Sequence, residues 1–307
     1  MKKIICIFIS AIMLISFTAC SYTAENNDKV KIVTTIFPPY DFARQICGEN
    51  AEIVMLLQPG TESHTYDPTP QDILRIKNAD IFIYNGGESE KWVDEVITSV
   101  DKSRTEIISM MEIADTLEEH HDSEHSDTHD VHEYDEHVWT SPKNAIKITE
   151  SIYKAVCHKD SSNTETYTEN KDKYVEKLTE LDNAFSNAAA ESSGKPLIFG
   201  DRFPFLYFAE EFGIEYYAAF PGCAENTEPS ASTIANLIDK VKSENIPVVF
   251  FIEFSNQKIA DTICEATGAK KLLFHSCHNV TADEYKSGVT YLQLMEQNLA
   301  NFREALK

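Results

Sequence analysis

Pro196-Leu197-Ile198-Phe199-Gly200, then Phe203-Pro204, then Phe208-Ala209, repeats a pattern met near the start of the chain. There Val30-Lys31-Ile32-Val33-Thr34-Thr35-Ile36 leads to Phe37-Pro38, and Phe42-Ala43 stands at the same spacing of five from the first Phe. The correspondence continues. Leu56-Leu57-Gln58-Pro59-Gly60 precedes Asp67-Pro68, as Ala218-Ala219-Phe220-Pro221-Gly222 precedes Glu228-Pro229. Third apolar runs follow at 80–85 and 247–253, and fourth ones at 105–108 and 270–274. Each half therefore alternates short continuous apolar strands with helical segments, the signature of a parallel sheet covered on both faces. The expected fold is α/β, with two facing domains that each carry a four-stranded parallel sheet. Ligands of such sheets sit beyond the carboxyl ends of the strands, so two facing sheets make one cleft.

The halves are joined by a stretch, 163–192, with no Gly or Pro and with Tyr167, Tyr174, Leu178, Leu181 and Phe185 at helical spacings. A helix of about thirty residues spans roughly 45 Å, enough to run along both domains. The expected organisation is an N-terminal domain at 29–158, a linking helix at 159–193 and a C-terminal domain at 194–307.

Lys2 and Lys3, an apolar run at 4–17 and the small residues Thr18-Ala19 before Cys20 read as a secretory signal (1–19), too short to span a bilayer. Phe17-Thr18-Ala19-Cys20 resembles the bacterial lipobox, whose cysteine is diacylated, with a polar tether at 20–28. The expected location is extracytoplasmic, on the membrane face through a lipid anchor. Loss of Lys2 and Lys3 takes the formal charge from −23 to −25. Such an acidic surface argues against nucleic acid and favours cations; a monomer is expected. Five cysteines remain beyond Cys6 and Cys20, too few and too odd a set for a disulfide scaffold. Cys223 and Cys277 follow the second and fourth strands of the second half and are candidates for one bridge at the cleft edge. Cys47, Cys157 and Cys264 are expected as small buried residues.

Six of the ten histidines lie at 120–137, in a run of Asp and Glu without Lys or Arg. A segment this polar cannot repay the entropy of ordering, so a loop at 118–136 is expected. Imidazole and carboxylate at that density suit divalent metals, zinc above all, with His120, His121, His125, His129 and His132 as a weak capture group. His137 closes the run directly before Val138-Trp139-Thr140-Ser141-Pro142, an apolar flank that suits a fixed ligand; Trp139 is expected to pack beneath the ligand shell. His64 lies in the loop after the second strand. The matching strand ends of the second half offer Asp201, Glu225, Glu228, Glu253, His275 and His278. Asp201 reads equally as a helix N-cap. His275 emerges straight from its strand and is favoured over its rival His278, three residues on.

His64 with Tyr66-Asp67-Pro68 and Asp72, then Asn85-Gly86 with Glu90 and Trp92, then Asp135-Glu136-His137-Val138-Trp139-Thr140-Ser141-Pro142 resemble motifs of the zinc and manganese ABC-transporter solute-binding lipoproteins. The resemblance covers nearly all of the chain beyond the signal. It implies two facing α/β domains on a long helix, a metal as transported ligand and delivery to a membrane permease. The family's third ligand lies five residues before a Tyr. Counting back from Tyr207 lands on Arg202, and a one-residue insertion places Asp201 there. The fourth position falls near His275. The implied set is His64, His137, Asp201 and His275.

Three imidazoles and a carboxylate suit tetrahedral Zn²⁺, whereas manganese prefers more oxygen. A manganese-binding homologue and a surface zinc-storage or adhesin protein are the alternatives. A zinc hydrolase would need an open coordination site and a general base. Neither His-Glu-x-x-His, His-x-x-Glu-His nor Gly-x-Ser-x-Gly occurs, so no enzyme is expected.

Overall fold

The structure, a computed structural model, describes residues 29–62, 66–118, 134–192, 194–220 and 229–307. The first half runs β1 (Val30–Thr34), α1 (Phe37–Cys47), β2 (Ala51–Met55), α2 (Pro70–Lys77), β3 (Ile81–Tyr84), α3 (Trp92–Ile97), β4 (Glu106–Ser109), α4 (Met110–Ile113) and α5 (Pro142–Lys159). After α6 (Thr164–Glu191), the second half repeats the order: β5 (Leu197–Phe199), α7 (Leu206–Phe212), β6 (Tyr216–Ala218), α8 (Ala231–Ser243), β7 (Val248–Phe251), α9 (Lys258–Thr267) and β8 (Lys270–Leu273). It closes with α10 (Ala282–Ser287) and α11 (Tyr291–Ala305).

Both sheets are parallel, with strand orders β2-β1-β3-β4 and β6-β5-β7-β8. The internal repeat is thus a repeat of topology. In each sheet the first strand is central, flanked by the second on one side and the third on the other, so each has a switch point where loops diverge. Local chemistry sets the helix starts. Thr69 and Asp72 form a reciprocal capping box with Pro70 in the first turn of α2, and Thr290 with Gln293 does the same for α11. Gly200 lets α9 press on the end of β5, because a Cβ there would lie 2.5 Å from the Cα of Ala260.

Helix α6 is the linking element, 28 residues or about 42 Å long. It buries Tyr167, Tyr174, Leu178, Leu181 and Phe185, the face its spacing predicts, together with Ala188. That stripe packs on α1 and α5 of the first half and on α11 of the second. One apolar core therefore runs through the linker and both halves, with Phe37, Trp139, Leu178, Phe208, Phe274 and Tyr291 among its members. Among the described residues no helix is long and apolar enough to cross a membrane.

Polar ties cross the same junction. The Asp41 carboxylate of α1 is fully buried and accepts from Arg44 at 2.6 Å and from the Tyr291 amide at 2.7 Å, across the two halves. Burial pushes its pKa up and the Arg44 guanidinium pulls it back. Glu211 of α7 meets Ser141, the N-cap of α5, and faces the Asp182 carboxyl of α6; Lys143 stands 3.6 Å away. Burial first, then Asp182, pushes Glu211 up to about 7.

A carboxyl whose folded pKa lies above its ordinary 4.5 favours the fold most at low pH, and that contribution is lost as pH rises through the folded value. Glu211→Gln keeps a neutral donor to Asp182. Unfolding free energies of both proteins from pH 5 to 8 should converge at the acid end, with the variant ahead at pH 8 by about 1–2 kcal/mol. Parallel curves across that range would contradict the assignment.

Candidate metal centre

The carboxyl ends of the two sheets are closed on one another by their own loops. Residues 276–280, leaving β8, are captured by the first half. Trp139 Nε1 donates to the Ser276 carbonyl at 2.7 Å, and the Phe37 amide to the His278 carbonyl at 3.3 Å. Asn279 Nδ2 donates to the carbonyls of Gln58 and Thr61, both at 2.8 Å, and the Gly60 amide to the Val280 carbonyl at 2.7 Å. Cys277 adopts a left-handed φ of 63°, so the chain turns sharply between His275 and His278.

That turn separates the roles of the two histidines. The His278 ring lies 5.6 Å from the His137 ring, centroid to centroid and nearly perpendicular. Fully buried Trp139 packs beneath both, 5.4 Å from His137 and 4.8 Å from His278, as its place in the sequence predicts. His275 belongs elsewhere. Its Nδ1 accepts the Cys277 amide at 2.9 Å, which places the proton of a neutral ring on Nε2, a buried atom with no hydrogen-bond partner among the described residues. A protonated nitrogen offers no lone pair to a metal. The His275 backbone is clamped by Asn298 in both directions at 2.7 Å. Glu253, at the end of β7, holds the Ser276 amide and hydroxyl and shapes the same turn.

His137 is set the opposite way. Asp135 Oδ1 accepts both the His137 amide at 2.8 Å and its ring Nδ1 at 3.1 Å, which puts the proton on Nδ1 and makes Nε2 the lone-pair nitrogen. The support continues outward. The Tyr207 hydroxyl donates to the Asp135 carbonyl at 2.6 Å and accepts the Leu117 amide at 3.1 Å. Glu136, next to His137, takes the Ser89 amide at 2.9 Å and the Ser89 hydroxyl, while Asn85 Nδ2 holds the Glu136 carbonyl at 2.9 Å. Gly87 admits this carboxylate, since a Cβ there would lie 2.5 Å from Glu136 Oε1. Burial raises the pKa of Glu136. Burial also pushes Glu90 up to about 7, although its Oε2 accepts the amides of Asn85 at 2.7 Å and Gly86 at 2.9 Å.

The other expected site residues divide in two. Asp201 is buried at the end of β5, where its oxygens accept the amides of Arg202 at 2.9 Å and Ile252 at 3.3 Å. Burial raises its pKa, opposed by Ser255 and those amides. It braces the ends of β5 and β7, close to the capping role that its alternative reading gave it. Arg202 reaches Glu62 of the first half at 3.3 Å. His64, the group His120, His121, His125, His129 and His132, Cys20, Cys223, Glu225 and Glu228 lie outside the described residues. The flanks of two of these segments are placed. Tyr66 donates to Asp72 at 3.1 Å, and Glu118 bridges Tyr134 where the acidic segment begins and ends. Among the described residues no three His, Cys, Asp or Glu side chains gather as a metal site; His137 and His278 are placed together, and so are His275 and Glu253, at 3.7 Å.

The cysteine expectations need correction. Cys277 is a free thiol, fully buried in the core instead of at the cleft edge, because its left-handed backbone turns the side chain inward beside the His275 carbonyl. A bridge to Cys223 is therefore not formed at this end. Cys47 is buried and free, whereas Cys157 and Cys264 are half-buried.

The chain is 31% identical over 308 residues to the zinc-binding lipoprotein AdcA of Streptococcus pneumoniae R6, covering 99% of this chain and 61% of that protein. It thus spans about three-fifths of the length of that relative. It is 30% identical over 315 residues to the high-affinity zinc uptake system protein ZnuA of Bacillus subtilis 168, covering 99% of this chain and 98% of that one. Among solved structures, the metal-dependent lipoprotein YcdH of Bacillus subtilis superposes with a TM-score of 0.77 at 30% identity, over 91% of this chain and 99% of that one. The Zn(II)-bound ZnuA-like domain of pneumococcal AdcA gives 0.74 at 30% identity, over 91% and 99%. The model of the periplasmic zinc-uptake complex component A matches residues 32–305, and with it this two-sheet chain belongs to the ZnuA family.

Proposed function

We propose that this protein is the extracytoplasmic zinc-capturing component of an ABC uptake system and hands Zn²⁺ to a membrane permease. The observation that carries the reading is the His137–His278 pair. Two imidazoles bound through nitrogen to one tetrahedral zinc at ~2.0–2.1 Å place their ring centroids roughly 5 Å apart, and the two rings here stand 5.6 Å apart. The donor set is nitrogen-rich, which favours zinc over manganese. The reading is one of carriage without catalysis.

In this proposal His278 takes the place that the family resemblance gave to His275, and His64 supplies a third imidazole. The flanks of His64 support that role. Residues 58–61 are bonded to 279–280, and Tyr66 lines the same small cavity as His278. Asp201, with its oxygens committed to amides, serves as a brace instead of a ligand. The acidic histidine segment is a capture arm rooted at the Glu118–Tyr134 bridge, close to His137. Cys20 is proposed as the lipidated residue that tethers a monomer beside the permease.

Zinc competition titrations should separate the histidines. His137→Ala and His278→Ala should each weaken binding at least about 100-fold, by loss of a metal bond. His275→Gln should change it less than about three-fold and act chiefly on stability. Because the neutral ring is the ligand, affinity of the wild type should fall as pH drops through ~6.5. Equal losses at His275 and His278 would sink the assignment.

Deleting 119–133 should slow zinc association at low salt and leave the equilibrium affinity within a few-fold, with added salt erasing the difference. Stopped-flow traces that superpose at low salt would remove the capture role.

A further inference from the structure

Helices α1 and α5 both start at the junction, at Phe37 and just past His137, and run back to the far edge of the first half. Each ends on a cysteine. Cys47 is the last residue of α1 and is fully buried, and Cys157 lies in the last turn of α5, half-buried. Helix α6 gathers these two ends. Asn170 Nδ2 donates to the Ile46 carbonyl at 3.0 Å, next to Cys47. One turn earlier, the Tyr167 hydroxyl donates to Asp160 at 2.6 Å, three residues beyond Cys157. Tyr167 is fully buried, and both thiols act on its hydroxyl: burial first, then Asp160, raise its pKa, and Cys47 and Cys157 add to the rise. Burial first, then Asp160 and the Cys157 thiol, push Cys47 up to about 12. The two cysteines also pack on the same apolar core, and both are thiols in this structure. The end of α1 has room to adjust, since Gly48 follows at φ 53° with open space where a Cβ would stand.

We infer that Cys47 and Cys157 are the two halves of one disulfide that staples the end of α1 to the end of α5. The inference is independent of which histidines hold zinc. The family works outside the cytoplasm, where thiols are not kept reduced. The oxidant is itself a disulfide, of low molecular weight or on a thiol-exchange protein. The half-exposed Cys157, as thiolate, attacks one sulfur of that disulfide, and the first thiol leaves. Cys47, as thiolate, then attacks the Cys157 sulfur, and the second thiol leaves. Two cysteine thiols become one S–S bond, the S–S bond of the oxidant becomes two thiols, and two electrons and two protons change hands. A thiol near 12 is seldom a thiolate at neutral pH, so closure is slow in the folded chain and fastest before Cys47 is buried. The closed loop of about 110 residues contains β2, β3, β4 and His137, so the bridge restrains most of the first half when the chain unfolds.

The test uses the intact chain, unfolded and reduced, then refolded in a buffer of reduced and oxidised glutathione. Acid quenching, alkylation and digestion without reductant should yield one cross-linked peptide pair joining Cys47 to Cys157, with Cys264 and Cys277 alkylated. Adding reductant should lower the melting temperature of the bridged protein by roughly 5 °C or more, the scale of opening a long loop. Cys157→Ser should melt at the reduced value with or without reductant. The folded, reduced chain placed in the same buffer should close the bridge at least about ten-fold more slowly than the refolding chain. Alkylation of both Cys47 and Cys157 after refolding, or a bridge from either to another cysteine, overturns the pairing. A Cys47–Cys157 bridge whose reduction leaves the melting temperature unchanged overturns the staple, and equal closure rates overturn its formation before burial. These three readings come from the wild-type chain, so they stand even if Cys157→Ser folds poorly.

Discussion

Residues 276–280 carry the architecture, because they belong to the second half by sequence and to the first half by hydrogen bonding. Trp139, Phe37, Gly60 and Asn279 pin them at successive positions, all through backbone groups of the 276–280 segment or its Asn279 amide. Backbone polar groups buried between two sheets must be paired, and here each half pairs those of the other. This stitching delivers His278 to within ring contact of His137. Loss of the stitching would cost both an interface and the placement of His278 beside His137.

The closed junction has a dynamic consequence. A helix spans both halves, one apolar core passes through all three parts, and Asp41 is buried against Arg44 and the first amide of α11. Separating the halves as rigid bodies would expose that core and break the bond from the Tyr291 amide to Asp41, a cost of several kcal/mol at least. Metal exchange is better served by small movements of loops, such as those after β2 and β8, than by a wide hinge.

Much of this was legible from the residues. The doubled Phe-Pro and Phe-Ala spacing predicts two copies of one strand–helix order, and the copies share the strand order as well. The gap-free stretch before Ser193-Gly194 predicts the linking helix and its buried stripe. Asp135 and Trp139 sit beside His137 in sequence and act on it in space. The choice between His275 and His278 was not legible, and the reason is local. Cys277 takes a left-handed conformation that favours glycine or asparagine, so nothing in His-Ser-Cys-His announces a turn there. A strand continued straight through Cys277 would have pointed His275 at the junction and left a thiol at the edge. The same backbone reversal buries the thiol and exchanges the histidines. Asp201 was ambiguous for a different reason: a carboxylate after a strand serves equally as ligand or as brace, and its amide partners here favour the brace.

The central claim is that one zinc ion joins His137 of the first half to His278 of the second, on a ring prepared by Asp135. Anomalous diffraction at the zinc edge, from crystals of the chain loaded with one equivalent of Zn²⁺, tests it most directly. The account predicts a single strong peak ~2.0–2.1 Å from Nε2 of His137 and from a ring nitrogen of His278. A peak bound to His275, or one confined to the acidic segment with His137 and His278 bare, would contradict it.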